Sequence, residues 1–226
     1  GRLTSPKLYN ALSSGLKDSG SNVINIGMCP TPMLYFADYH LKMDAAIMIT
    51  GSHNPSEYNG FKMVLNKHSF FSKNIQNFQQ IVSENKLEKK DGKIQNIEII
   101  EHYIDRLLKN IVIKKKLKIS WDIGNGAMGV IIDKLISKLQ NTENILINKE
   151  VDGTFPNHHP DPTIPKNMEQ LIKSVKENNC DVGLAFDGDG DRLGVVDNLG
   201  NIVWADQYML ILCSEISNLY KNPKII

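Results

Sequence analysis

Two short stretches of this chain carry residue types and spacings that can do chemistry. The first is Asp187-Gly188-Asp189-Gly190-Asp191-Arg192, three carboxylates alternating with two glycines and closing on an arginine. Like charges this close repel one another unless something positive sits among them. Oxygen ligands without histidine or thiolate favour a hard cation, Mg²⁺ or Ca²⁺, over zinc. The glycines let the backbone curl so that alternate side chains converge, because glycine takes φ > 0 without steric cost. An EF-hand loop needs Gly at its sixth position and Glu at its twelfth; Arg192 and Asn198 stand there, which removes that reading. A solvated acidic turn is the plainer alternative. Arg192 beside a cation-binding loop suits an anionic ligand such as phosphate, held bidentately.

The second stretch is Thr50-Gly51-Ser52-His53-Asn54-Pro55, continuing through Tyr58-Asn59-Gly60-Phe61-Lys62. Ser52 leaves an apolar strand between Gly51 and His53 and is placed like a nucleophile. It is not the G-x-S-x-G elbow, because no second glycine closes the motif. No Walker A lysine motif is present, so ATP-driven transfer is unsupported. Taken alone, the loop reads equally well as a polar turn.

Gly124-Asn125-Gly126-Ala127-Met128-Gly129 is a formal G-x-G-x-x-G between strand and helix patterns, with Glu150 about twenty residues on. Such a turn either seats a pyrophosphate on a helix N-terminus or allows close helix-to-strand packing. Adjacent His158 and His159 on a Pro-rich extended segment point in opposite directions, so loop structure is expected there in place of a metal pair.

The elements that must position these loops follow from periodicity. Helical patterns cover residues 5 to 19, with Leu8, Leu12 and Leu16 on one face, and Pro30 to about Leu41, each opened by proline. Strands are expected at 22 to 27, at 45 to 49 and from Gly60 to Leu65. A Lys-, Glu- and Asp-rich stretch from Asn85 to Asn96 marks a domain boundary. Beyond it, helices near 98 to 110, 127 to 140 and 167 to 179 alternate with strands near 117 to 122, 143 to 149 and 181 to 187. Leu193-Gly194-Val195-Val196-Asp197 is the hairpin partner of the last strand, and Trp204 to Tyr220 is an amphipathic helix. The alternation predicts an α/β fold, with the acidic loop at a strand end where such sheets place ligands. The run Lys114 to Lys118 reads as a solvated strand entry.

The 226 residues suffice for one large or two ordinary domains. A net charge of +1 supports neither nucleic-acid nor membrane-surface binding. Cys29, Cys180 and Cys213 are odd in number and form no CxxC pair, which points to a reducing compartment. With no signal-peptide pattern and no apolar run near membrane-span length, a cytoplasmic protein is expected. The chain opens on Gly1-Arg2 and stops at Lys224-Ile225-Ile226, and both ends read as cut.

Together the two loops resemble the α-D-phosphohexomutase superfamily, which carries a T-[AG]-S-H-N-P phosphoserine loop and a D-G-D-G-D-R metal loop. Both match at every position. Pro30-Thr31-Pro32, Asp122-Ile123-Gly124-Asn125-Gly126 and Phe155 through Pro162 add to the likeness, which runs in the same order over essentially the whole chain. The nearest branch is the bacterial phosphomannomutase/phosphoglucomutase one; phosphoglucosamine mutase shares the general motifs. The resemblance implies two successive mixed α/β, three-layer domains: a phosphoserine-loop domain at 1–96 lacking its N-terminal strand, and a metal-loop domain at 97–203. Residues 204–226 would be the opening helix of a truncated third domain.

By position, the resemblance implies that Ser52 is phosphorylated in the resting enzyme. Asp187, Asp189 and Asp191 would hold Mg²⁺, with a phosphate oxygen on Ser52 completing the protein ligands. His53 and Lys62 match acid/base or phosphate-neutralising residues, and Arg192 a contact to the substrate-side phosphate. A mannose or glucose phosphate would be interconverted between its 1- and 6-isomers. Glucose 1,6-bisphosphate or mannose 1,6-bisphosphate would be the intermediate and activator. Lys62 serves as a base only if burial or neighbouring cations lower its pKa. With about half of a four-domain parent present, weak activity or none is expected of the chain by itself. A dinucleotide-binding module, and a catalytically silent piece that binds sugar phosphates, are the readings from other classes.

Overall fold

The computed structural model describes residues 1–84 and 89–224; part of the charged stretch from Asn85 to Asn96, and the last two residues, lie outside the described residues. Helix α1 (Ser5–Asp18) has proline in its first turn, where the missing N–H goes unused. Strand β1 (Val23–Asn25) leads to α2 (Thr31–His40), again opened by proline. Strands β2 (Ala45–Ile49) and β3 (Phe61–Leu65) pair antiparallel with Met48 opposite Lys62, and β4 (His68–Ser69) adds to β3. The 50–60 loop therefore joins two paired strands, and Lys62 enters the sheet close to the serine loop.

Helix α3 (Lys73–Ser83) follows. It has no counterpart among the sequence expectations, and the reason is visible: it lacks a side-chain cap and leaves Ile75, Phe78, Ile81 and Val82 exposed. Strand β5 (Ile94–Asn96) returns to lie parallel to β1. Helix α4 (Ile100–Leu108) packs against α2.

The second half is built on a five-stranded mixed sheet in the order β10-β9-β8-β6-β7. Its members are β6 (Leu117–Asp122), β7 (Thr142–Ile147), β8 (Val182–Phe186), β9 (Leu193–Asp197) and β10 (Ile202–Val203). Strand β6 is parallel to β7 and β8; β8 and β9 are the antiparallel hairpin that carries the acidic loop. Alternation along β8 sorts the two faces. Val182, Leu184 and Phe186 join one core with Trp121, Ile119, Ile131 and Ile132, whereas Ala185 joins Leu171, Val175 and Met168 beneath α6 (Glu169–Asn178). Gly183 on that second face is required by approach: a Cβ there would lie 2.6 Å from Val175 Cγ2. Each fully buried Ile, Leu or Met contributes about 1.5–3 kcal/mol. The first core also takes in Cys29, Met33 and Met48 from the first half, so the two halves share apolar packing.

The single helix expected over 127 to 140 is broken into a 3₁₀ turn (Ala127–Val130) and α5 (Ile132–Lys138). Gly129 sits within that turn so close to the β7 exit that a Cβ would lie 2.3 Å from the Lys149 carbonyl oxygen. A second 3₁₀ turn (Pro165–Met168) precedes α6. Helix α7 (Ala205–Leu219) has no buried residue and exposes Leu210, Ile211 and Leu219. Among the described residues no helix is long and apolar enough to cross a membrane, and all three cysteines are free.

Candidate active site

The acidic loop lies between β8 and β9, and the serine loop between β2 and β3; the fold sets them face to face. Ser52 Oγ donates to Asp187 Oδ2 at 3.0 Å and lies 3.3 Å from His53 Nδ1. Ser52 holds φ at 48°, in the left-handed region that non-glycine residues seldom occupy. Such strain persists where surrounding contacts over-determine it. Here the Ser52 N–H donates to Thr50 Oγ1 at 2.8 Å, Asn54 N–H closes a turn onto the Gly51 carbonyl, and Arg2 binds the Ser52 carbonyl.

Asp187 and Asp189 are buried and Asp191 is exposed; one carboxylate oxygen from each lies within 4.8 Å of the others, close enough to share a metal ion. Asp187 Oδ1 accepts the backbone N–H groups of Asp191 and Arg192, so the loop folds around its own first carboxylate. Asp189 Oδ2 accepts from Thr31 Oγ1 at 2.7 Å, Thr50 Oγ1 at 3.0 Å and Lys62 Nζ at 2.7 Å. Its other oxygen, Oδ1, is buried with no hydrogen-bond partner among the described residues. A buried carboxylate oxygen in that state is costly unless something outside the protein satisfies it. An all-oxygen donor set with one such orphan fits a hard cation.

Burial first, then the charges of Asp189 and Asp191, push the Asp187 carboxyl up to about 7. For Asp189 burial acts in the same direction, but the hydrogen bond from Lys62, with those from the two threonines, outweighs it and holds this carboxyl below its ordinary value. Lys62 bridges Asp189 and Asp191, with Nζ 2.7 Å from an oxygen of each. Burial alone would lower the pKa of Lys62; its two carboxylate partners raise it overall. With both carboxylates on its ammonium, this arrangement favours the charged form of Lys62. The Arg192 side chain is exposed and makes no hydrogen bond or ion pair among the described residues, although its backbone N–H helps shape the loop.

Three residues that hold this arrangement were not singled out from the sequence as site residues: Thr31, Thr50 and Arg2. Thr31 opens α2 and binds Asp189 through both its hydroxyl and its N–H. Its only sequence signal is the Pro30-Thr31-Pro32 stretch, which reads first as a helix start. Arg2 precedes a helix like any surface arginine, yet it is buried.

The G-x-G-x-x-G turn packs against the acidic loop. Ala127 N–H donates to the Gly188 carbonyl, and a Cβ at Gly126 would lie 2.9 Å from that same oxygen. These contacts account for the glycines by close approach. His158 Nε2 lies 2.9 Å from the buried Asp122 carboxylate, and Nδ1 lies 2.9 Å from its neighbour's carbonyl, bracing the 155–162 loop.

A serine loop and a three-carboxylate loop thus meet across two successive mixed α/β units. Residues 1–89 match the family described as phosphoglucomutase/phosphomannomutase, alpha/beta/alpha domain I, and residues 101–200 match its alpha/beta/alpha domain II. The chain belongs to this family, within the α-D-phosphohexomutase superfamily. It is 45% identical to a phosphomannomutase/phosphoglucomutase of Pseudomonas putida, over 99% of the chain and 48% of the relative. It is 41% identical to a phosphoglucomutase of Neisseria meningitidis serogroup B, over 100% of the chain and 49% of the relative. A crystal structure of a phosphoglucomutase/phosphomannomutase family protein from Burkholderia thailandensis superposes with a TM-score of 0.91 at 36% identity, covering 97% of this chain and 49% of that one. The chain thus spans about half the length of these relatives.

Proposed function

We propose that this chain carries the phosphoryl-donating half of a cytoplasmic phosphohexomutase acting on mannose or glucose phosphates. The carrying observation is the Ser52 hydroxyl 3.0 Å from Asp187 at the mouth of a carboxylate cluster that retains one unpartnered buried oxygen. In this reading Ser52 alternately accepts and donates the phosphoryl group. Asp187, Asp189 and Asp191 hold Mg²⁺, which when bound supplies positive charge to the transferring group. Phosphoryl transfer is promoted mainly by positioning and charge neutralisation, and the Lys62 ammonium adds to the latter. His53 Nδ1, 3.3 Å from Oγ, is the ring nitrogen in reach to receive or return the hydroxyl proton. Arg192, whose guanidinium makes no hydrogen bond or ion pair among the described residues, is available to a substrate phosphate.

The test is the intact mass of the purified chain before and after incubation with glucose 1,6-bisphosphate and Mg²⁺. One added phosphate that maps to Ser52 and is lost in Ser52→Ala is the expected result. No added phosphate under any condition sinks the reading for this chain. Turnover of glucose 1-phosphate at rates normal for an enzyme would instead overturn the restriction to half a cycle. Rates on mannose, glucose and glucosamine phosphates, measured with a protein of the relatives' full length, decide the sugar.

A further inference from the structure

We infer that Arg2 is a positioning residue that sets the Ser52 nucleophile against the acidic loop by clamping the serine loop from behind. Arg2 is 6% exposed, and its guanidinium donates to three backbone carbonyls of one turn: Ser52 at 2.8 Å, Asn54 and Pro55. Carbonyls of successive residues ordinarily point apart, and three converging on one planar donor hold the turn in a single shape. A guanidinium offers five N–H groups in a rigid fork; an ammonium offers a point charge that does not reproduce the fork. Among the described residues no carboxylate lies within ion-pair distance of Arg2, so its bonding capacity goes to the loop.

The clamp also reaches the acidic loop. The guanidinium lies over the Phe155 ring, 5.2 Å from its centroid. Phe155 itself holds φ at 53°, a conformation rare for a bulky residue. A Cβ at Gly188, between the first two aspartates, would lie 3.5 Å from Phe155 Cζ and 2.6 Å from the Ser52 carbonyl oxygen. Arg2, Phe155, Gly188 and Ser52 thus form a closed ring of contacts across the two halves. Gly51 and Gly153 complete it, because a Cβ at Gly51 would lie 2.5 Å from Arg2 Nε and one at Gly153 would lie 3.1 Å from Arg2 Cα. Two loops distant in sequence are therefore registered by a single buried arginine.

The inference rests on Ser52 as phosphoryl acceptor, and the test separates the two. Single-turnover loading of the chain by glucose 1,6-bisphosphate with Mg²⁺ is followed by mass. In this step an Oγ–P bond forms, the sugar P–O bond breaks, and the serine proton ends on the freed sugar hydroxyl. Arg2→Lys is expected to load about 10- to 100-fold more slowly at saturating bisphosphate, as misplacement of a reacting group by about 1 Å does. The half-saturating concentration should change by less than about threefold. Arg2→Ala should be at least as slow; if it does not fold, Arg2→Lys with an unchanged circular dichroism spectrum carries the test. Loading of Arg2→Lys at the wild-type rate overturns the inference, as does a loss confined to the half-saturating concentration. Hydrogen exchange of residues 51–58 is read on the same proteins without bisphosphate and should rise in Arg2→Lys. If the wild-type chain takes no phosphate, the acceptor reading fails, and unchanged exchange in Arg2→Lys would still dispose of the clamp.

Discussion

Lys62 Nζ and Asp189 Oδ2 lie 2.7 Å apart, beside a second Asp189 oxygen that has no hydrogen-bond partner among the described residues. One oxygen of a buried carboxylate is thus crowded with donors while the other is empty. The lysine neutralises the cluster from the strand side, and the empty oxygen is where an added cation would meet unsatisfied charge.

Removing that lysine should make the site more dependent on metal. Lys62→Met is expected to lose about 2 kcal/mol of stability in chelator, since it leaves a buried carboxylate short of its charged donor. Mg²⁺ should raise the melting temperature more in the variant than in wild type. Equal metal-induced shifts in the two proteins would show that Lys62 and the cation do not share these carboxylates.

The left-handed backbone at Ser52 predicts an ordering between two variants that lack the hydroxyl. Ser52→Gly should be more stable than Ser52→Ala by about 1 kcal/mol, because alanine retains the Cβ penalty at φ 48° that glycine escapes. Urea denaturation of the two is the measurement. An Ala variant as stable as the Gly one would mean the loop relaxes once the hydroxyl is gone.

A pH-dependent contribution is expected from His158. Burial alone would push its imidazole down, but the hydrogen bond and charge of Asp122 raise it above its ordinary value of 6.5. A group raised on folding adds stability that is fully present below the unfolded value and is lost as pH rises through the folded one. The stability gap between wild type and His158→Asn should therefore be larger at about pH 5.5 than at about pH 8.5. A gap independent of pH would place the histidine's contribution in packing.

Two glycine substitutions should move in opposite directions. Gly126→Ala puts a Cβ 2.9 Å from the Gly188 carbonyl and should cost about 1–3 kcal/mol while weakening Mg²⁺-induced stabilisation. Gly15→Ala, inside α1 with nothing within 4 Å, should stabilise by about 0.5–1 kcal/mol. Thermal melts with and without Mg²⁺ check both; a neutral Gly126→Ala would show that the acidic loop yields to the turn beneath it.

Much of the architecture was legible because it rests on local rules. The apolar alternation of Val182–Phe186, the proline starts of α1 and α2 and the hairpin around Asp187–Arg192 are patterns within a few residues. Less legible were α3, which is uncapped and keeps its apolar face in solvent, and the break at Gly129, where the approach of the Lys149 carbonyl decides the geometry.

By itself, then, the sequence determined the chemical inventory: a serine between Gly51 and His53, three carboxylates at alternate positions, and strands to carry them. Only the tertiary structure decided who faces whom. Ser52 and Asp187 are 135 positions apart yet share a hydrogen bond, and Lys62 is held between two carboxylates more than a hundred residues away. Arg2 changes from a residue with no signal to one that holds three carbonyls. The reason is physical: residue type and backbone bias are properties of short segments, whereas charge state and hydrogen-bond partners are set by whatever the fold brings within a few ångströms.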